Sequence, residues 1–169
     1  MLDNDKFDNS LKDVLVNNSL LPLESNPYWF NFEMNYKYNE KEKHTNDLPL
    51  RKKIDKLVPK DKRGLYIFVN PITEEVLYVG KGWIRDRLRE HVKKLYEENI
   101  RPRNIFFKSI QGDVRIYWTE CVGYHRRIAI EGALQCVLKP RYRRDDYYIK
   151  TIFYTKGRKC RNGREETSN

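Results

Sequence analysis

Five polar side chains stand out by type and spacing: Tyr66, Tyr78, Arg87, His91 and Glu131. The tyrosines lie in GLYIFVNPITEEVLYVG, Gly64 to Gly80, which reads as two apolar strands around a polar turn with a glycine at each outer end. Arg87 and His91 are spaced i, i+4, one turn apart on the same edge of a helix, and they flank the apolar stripe of Leu88 and Val92. Glu131 is the one carboxylate in IAIEGALQCVL, an otherwise largely apolar helix. Such a set suits chemistry on a phosphate ester. A guanidinium fork donates bidentately to two phosphoryl oxygens and stays charged, while hydrolysis needs an activated water and relief for the charge that builds on those oxygens. Singly, each residue has a plainer reading. A cross-strand tyrosine pair stabilises a hairpin by itself, Arg87 and His91 suit a solvated helix surface, and Glu131 suits the exposed side of its helix.

These residues must be positioned by a small α/β unit. Gly64–Asn70 and Glu75–Gly80 read as strands joined by a turn with Asn70, Pro71 and Thr73. Alternation puts Leu65, Ile67 and Val69 on one face of the first strand, and Tyr66 and Phe68 on the other. In the second strand Leu77 and Val79 share a face opposite Tyr78 and Val76. Pairing around residue 72 sets Tyr66 directly across from Tyr78. Ile84, Leu88, Val92 and Leu95 then mark one face of a helix, and a basic, proline-interrupted stretch follows at Arg101–Arg103. VRIYWTECV, 114–122, alternates as a third strand, and Arg126 to Lys139 reads as a second helix stopped by Pro140. The expected architecture is a three-stranded antiparallel sheet flanked by helices over residues 62–154.

Residues 1–61 read as an N-terminal extension. Within it, DKFDNSLKDVLV has helical spacing at Phe7, Leu11, Leu15 and Val16. LLPLESNPYWFNFEMNYKY is aromatic-rich, and its Pro22 and Pro27 argue against one long helix or a central strand; its aromatics are expected to pack against the main unit. NEKEKHTNDLP reads as a loop and LRKKIDKLV as a helix of one or two turns. The tail, 155–169, is basic, small and polar, and reads as disordered.

At these residues the chain resembles the GIY-YIG nuclease family. Gly64-Leu65-Tyr66, an 11-residue interval and then Tyr78-Val79-Gly80 are similar to its paired signature, and Arg87, His91 and Glu131 follow in the family's order. EGALQCVLKPRYR, Glu131 to Arg143, is similar to the matching helix and exit of the nuclease module in bacterial excision-repair subunits. The likeness covers about residues 62–145, half the chain. It implies that Tyr66 acts as general base on the attacking water and that Tyr78 holds the water or the phosphate. It further implies that Arg87 grips the phosphate and that Glu131 is the sole carboxylate on one Mg²⁺ or Mn²⁺, a common magnesium arrangement. A free phenol near pKa 10 is too protonated for that role at neutral pH, so Lys81, Arg87 and His91 are expected to lower Tyr66 by their positive charge. Lys81, Lys139, Arg141, Arg143 and Arg144 are the expected DNA contacts. One position departs: the family asparagine after the final proline is Arg143 here. A variant site aided by Arg144 or Asp145, or a degenerate fold that binds nucleic acid without cutting it, both remain open.

Charge agrees with a polyanionic partner. The formal net charge is +10 and unevenly spread: residues 1–50 carry 5 Lys/Arg against 9 Asp/Glu, and the remaining 119 carry 29 against 15. Concentrated basic charge suits DNA, because neutralised phosphates release condensed counterions, and the tail's Lys156, Arg158, Lys159, Arg161 and Arg164 would add sequence-independent affinity. A lysine-rich solvated surface or an acidic protein partner are the competing readings of charge alone. The three cysteines, Cys121, Cys136 and Cys160, form no CxxC pair, so neither a disulfide framework nor a zinc site is indicated. No apolar run approaches the roughly 20 residues of a membrane helix, and no signal-peptide pattern opens the chain. A soluble, cytoplasmic protein is expected, with no membrane partner. One site cuts one strand, so double-strand cleavage would require a homodimer, sequential reactions or a second site.

Overall fold

The computed structural model describes residues 4–40, 49–98 and 100–143. Its elements run α1 (Asn4–Asn17), β1 (Phe30–Tyr36), α2 (Pro49–Leu57), β2 (Arg63–Val69), β3 (Val76–Trp83), α3 (Ile84–Lys94), α4 (Pro102–Ser109), β4 (Gly112–Glu120) and α5 (Tyr124–Leu138). The chain is α/β, with one antiparallel sheet of order β1-β4-β2-β3. Arg144, Asp145, the basic tail and most of the polar loop before α2 lie outside the described residues.

Among the described residues the sheet has four strands, not three. The added strand, β1, comes from the segment read as an extension. Its NFEMNY pattern alternates cleanly, so Phe32, Met34 and Tyr36 enter the core while Asn31, Glu33 and Asn35 face outward. Glu33 lies opposite Arg115 on β4 and pairs with it at 2.6 Å. Pro22 and Pro27 precede this strand and so remove no ladder hydrogen bond from it, and it occupies a sheet edge. Of the aromatics in that segment, Trp29, Phe32 and Tyr36 are buried, whereas Tyr28 and Phe30 are exposed.

Both faces of the sheet are covered. On one, Tyr66, Phe68, Leu77, Ile116 and Trp118 pack with Ile54 of α2, Ile84, Leu88 and Val92 of α3, and Phe106 and Phe107 of α4. On the other, Leu65, Ile67, Val79 and Tyr117 pack with Leu15 of α1 and Leu134 of α5. Of the apolar positions of α1, Leu15 is buried while Phe7 and Val16 are exposed. Helix α4 replaces the irregular stretch expected after Arg101: Pro102 sits in its first turn, where a missing N–H costs nothing, and Phe106 and Phe107 anchor it.

The β2–β3 hairpin departs from simple alternation. Asn70 Oδ1 accepts from the backbone N–H groups of Ile72 (2.9 Å) and Thr73 (3.1 Å), which tightens the turn. Phe68 then pairs with Tyr78 but Val69 with Val76, so Leu77 is an extra residue on β3. This bulge turns Leu77 to the face of Tyr78 and away from Val79. It also sets Tyr66 across from Gly80 rather than Tyr78. The two phenols are diagonal neighbours, stacked with centroids 6.1 Å apart and an interplanar angle of 28°.

After α5 the chain turns at Lys139 (φ 45°) and runs along the outer edge of β3, where Arg141 N–H donates to Val76 O (2.9 Å) and Tyr142 N–H to Leu77 O (3.1 Å). At the other end of the hairpin, a Cβ on Gly64 would overlap the Thr119 carbonyl of β4. We expect Gly64→Ala to destabilise the fold by about 1–3 kcal/mol, the usual range for overpacking, measured as a lowered urea midpoint.

Candidate active site

The centre of the site is made possible by a missing side chain. A Cβ on Gly80 would lie 2.5 Å from both Cζ and Oη of Tyr66, so only glycine there lets the ring cross β3. Tyr66 Oη thereby reaches Nε2 of His91 on α3, at 2.9 Å. His91 is 2% exposed and stacks on Phe107 with centroids 4.1 Å apart, so it is not a surface histidine. The hydroxyl of Tyr36 on β1 donates to the backbone carbonyl of His91 at 2.5 Å. Behind the imidazole, Lys94 Nζ lies 3.3 Å from His91 Nδ1 and donates to Glu90 O at 3.1 Å.

Tyr78 joins this cluster from β3, edge-on to His91 (5.1 Å) and to Phe107 (5.1 Å) and tilted against Tyr142. Arg103 of α4 is close enough for its charge to act on this phenol. The Arg87 side chain runs beside Gly82, whose φ is +136° and whose absent Cβ would lie 3.2 Å from Arg87 Cγ and Nε. A substitution there would be strained and would crowd the arginine. Glu131 arrives from α5 on the opposite face; its charge acts on both phenols, and its carboxylate is ion-paired with Lys81 of β3. Its side chain is 15% exposed, which rules out the plain reading of a solvated helix face.

Burial decides the protonation states. It pushes Tyr66 well above the ordinary phenol value, with the neighbouring Tyr78 adding to the rise, Arg87 opposing it and Glu131 reinforcing it. Tyr78 is raised mainly by burial, against a lowering by Arg103. His91 is held well below its usual range by burial first, then by Lys94, Arg103 and Arg87. The expectation that Lys81, Arg87 and His91 would lower Tyr66 is therefore corrected. Arg87 does pull it down, but His91 is kept neutral, Lys81 is neutralised by Glu131, and loss of hydration outweighs what is left. Tyr66 rests as a protonated phenol.

The expected site residues thus separate into groups. Tyr66, Tyr78, Arg87 and His91 come together, and Glu131 and Lys81 join them through charge and an ion pair. Lys139 pairs with Asp8 at 3.1 Å, and Arg141 forks onto Glu75 with Nε–Oε1 at 2.9 Å; both side chains are exposed. Arg143 is half-buried beyond Tyr142. Sequence reasoning missed Arg103 and Lys94. Lys94 lies three residues after His91 and so stands on the same helical face, a readable signal; Arg103 sits in a helix whose existence was not foreseen.

Among the described residues no group of three or more His, Cys, Asp or Glu side chains could hold a metal ion. Glu131 alone offers a carboxylate. One hard oxygen donor fits a cation that keeps most of its waters, as magnesium does, provided the Lys81 ammonium yields its place. No described helix is long and apolar enough to cross a membrane.

The sign of the His91 shift gives a test. A histidine whose folded pKa lies below its unfolded value leaves stability intact above about pH 6.5 and removes it as pH falls, because the unfolded chain takes up the proton first. Lowering pH from 7 to 5 should therefore depress the melting temperature of the wild type more than that of His91→Gln, followed by circular dichroism.

No protein-family model, curated protein or solved structure matches this chain.

Proposed function

We propose that this protein is a metal-dependent DNA endonuclease of the GIY-YIG type, with Tyr66 as general base, Arg87 as phosphate clamp and Glu131 as the ligand of one Mg²⁺ or Mn²⁺. One observation carries the reading: the buried hydrogen bond between Tyr66 and His91, stacked beside Tyr78 and bordered by the Arg87 and Arg103 guanidiniums. A structural tyrosine pair requires none of those polar neighbours. An anion with several oxygens would satisfy both arginines.

In this mechanism the arginines orient the phosphodiester, and Tyr78 holds the water or a phosphoryl oxygen. Tyr66 must first give up its own proton to solvent. Ionised Tyr66 then takes a proton from the water as the water oxygen bonds to phosphorus; the bond to the 3′ oxygen breaks, and that oxygen takes a proton from solvent. Neutral His91 remains hydrogen-bonded to Tyr66. Glu131 would hold a divalent cation, which would supply Lewis-acid stabilisation of the departing oxygen when bound. Lys81 lies beside it and would offer its ammonium to phosphate.

A second reading is a nucleic-acid-binding protein that does not cut. The Lys81–Glu131 pair favours it, because an ammonium covers the candidate metal ligand, as does Arg143 at the family's asparagine position.

Supercoiled plasmid with Mg²⁺ or Mn²⁺ separates them. The wild type should nick or linearise it, EDTA should abolish this, and Glu131→Ala and Tyr66→Phe should each lower the rate by about 10²-fold or more. Tight, salt-sensitive binding without cleavage by the wild type would support the second reading.

A further inference from the structure

Lys94 is a buried lysine, 7% exposed, in a cluster whose chemistry leaves its role unassigned. It sits in the last turn of α3. Its ammonium lies 3.3 Å from His91 Nδ1, and the opposite ring nitrogen lies 2.9 Å from Tyr66 Oη. An ammonium has only donors to offer, and a neutral imidazole has one donor and one acceptor. Those two facts leave one arrangement. Nδ1 accepts from Lys94, so the ring proton is on Nε2, and Nε2–H donates to the Tyr66 oxygen. The Tyr66 proton is then left for a partner other than the imidazole.

We infer that Lys94 is the positioning residue of the site: by donating to His91 Nδ1 it holds the imidazole as the Nε2–H tautomer, making His91 a hydrogen-bond donor to the Tyr66 oxygen and closing the route by which Tyr66 would pass its proton to His91. The functional side of this inference rests on the nuclease reading. A general base that must become a phenolate gains from a neutral donor held against it, and its proton then leaves by way of solvent rather than to the imidazole.

The groups around Lys94 determine when the device reverses. Arg103 and the Phe107 ring face it from α4, Arg87, Glu90 and His91 from its own helix, and Glu97 from just beyond. Burial and the two arginines pull its pKa down to about 8, against the two glutamates. Above that value Lys94 becomes an amine able to accept, the ring proton can sit on Nδ1, and Nε2 can accept from Tyr66.

Long-range ¹H–¹⁵N spectra of the histidine ring nitrogens in the full chain test this without substrate. The chain has three histidines, so a His91→Gln variant identifies the His91 signals. At pH 7 the wild type should give a pyridine-like Nδ1 and a pyrrole-like Nε2, with averaging or reversal as pH passes about 8. Lys94→Met should lose the fixed tautomer at pH 7 and Lys94→Arg should keep it. A pyrrole-like Nδ1 in the wild type, or an unaltered tautomer in folded Lys94→Met, overturns the inference; should Lys94→Met fail to fold, the wild-type titration and Lys94→Arg decide. In plasmid cleavage, Lys94→Met should be slower by at least about tenfold, with the rate largely rescued in Lys94→Arg. Equal loss in both variants reduces Lys94 to a structural role. Absence of cleavage by the wild type would sink the nuclease reading and leave the tautomer result standing.

Discussion

The Tyr66 ring lies across a residue with no side chain, and the polar cluster depends on that contact. The bulge at Leu77 sets the register, the register brings Gly80 opposite Tyr66, and the space at Gly80 lets the phenol cross β3 to meet α3. His91 can then be both buried and satisfied, with Tyr66 and Lys94 on its ring nitrogens and Phe107 against its face. A methyl group at residue 80 would force the ring away and leave a buried imidazole without its partner, a state that costs far more than the hydrogen bond itself contributes. The tyrosines that a hairpin does not need are thus explained by where their hydroxyls go.

The cluster combines dryness with cationic neighbours. Phe106, Phe107 and Tyr142 exclude water around groups that are neutral at rest, while Arg87, Lys94 and Arg103 stand close by. In such a medium charge interactions are strong, but so is the penalty for ionising. Counting neighbouring charges predicted an acidified tyrosine; the burial of Tyr66 reverses the sign. The same burial keeps His91 uncharged, which removes one of the charges the counting relied on.

Much of the layout was legible in sequence because it rests on short-range patterns. The hairpin, α3, β4 and α5 follow from period-2 and period-3.6 spacing, and Tyr66, Tyr78, Arg87 and His91 follow from their order along those elements. What was not legible depends on contacts between distant segments. β1 reads as an aromatic run interrupted by prolines until its partner, β4, is known. The bulge is a property of the pairing between β2 and β3, and a strictly alternating reading of Leu77 and Val79 could not contain it. Helix α4 is only eight residues long and begins at a proline between two arginines, so composition pointed to a loop, and Arg103 was lost with it. The carboxylate partners of Lys139 and Arg141 lie some 130 and 66 residues away in sequence, a separation no local pattern reports.

The segment after α5 has a further consequence. By donating from Arg141 and Tyr142 to Val76 and Leu77, it covers the start of the outer rim of β3, the strand that carries Tyr78, Gly80 and Lys81. A neighbouring strand is hindered from pairing there, and the opposite rim, β1, lies three strand spacings or about 14 Å away. Its outward Asn31, Glu33 and Asn35 discourage pairing on that rim. A strand added at β1 would therefore extend the sheet away from the strand that carries Tyr78.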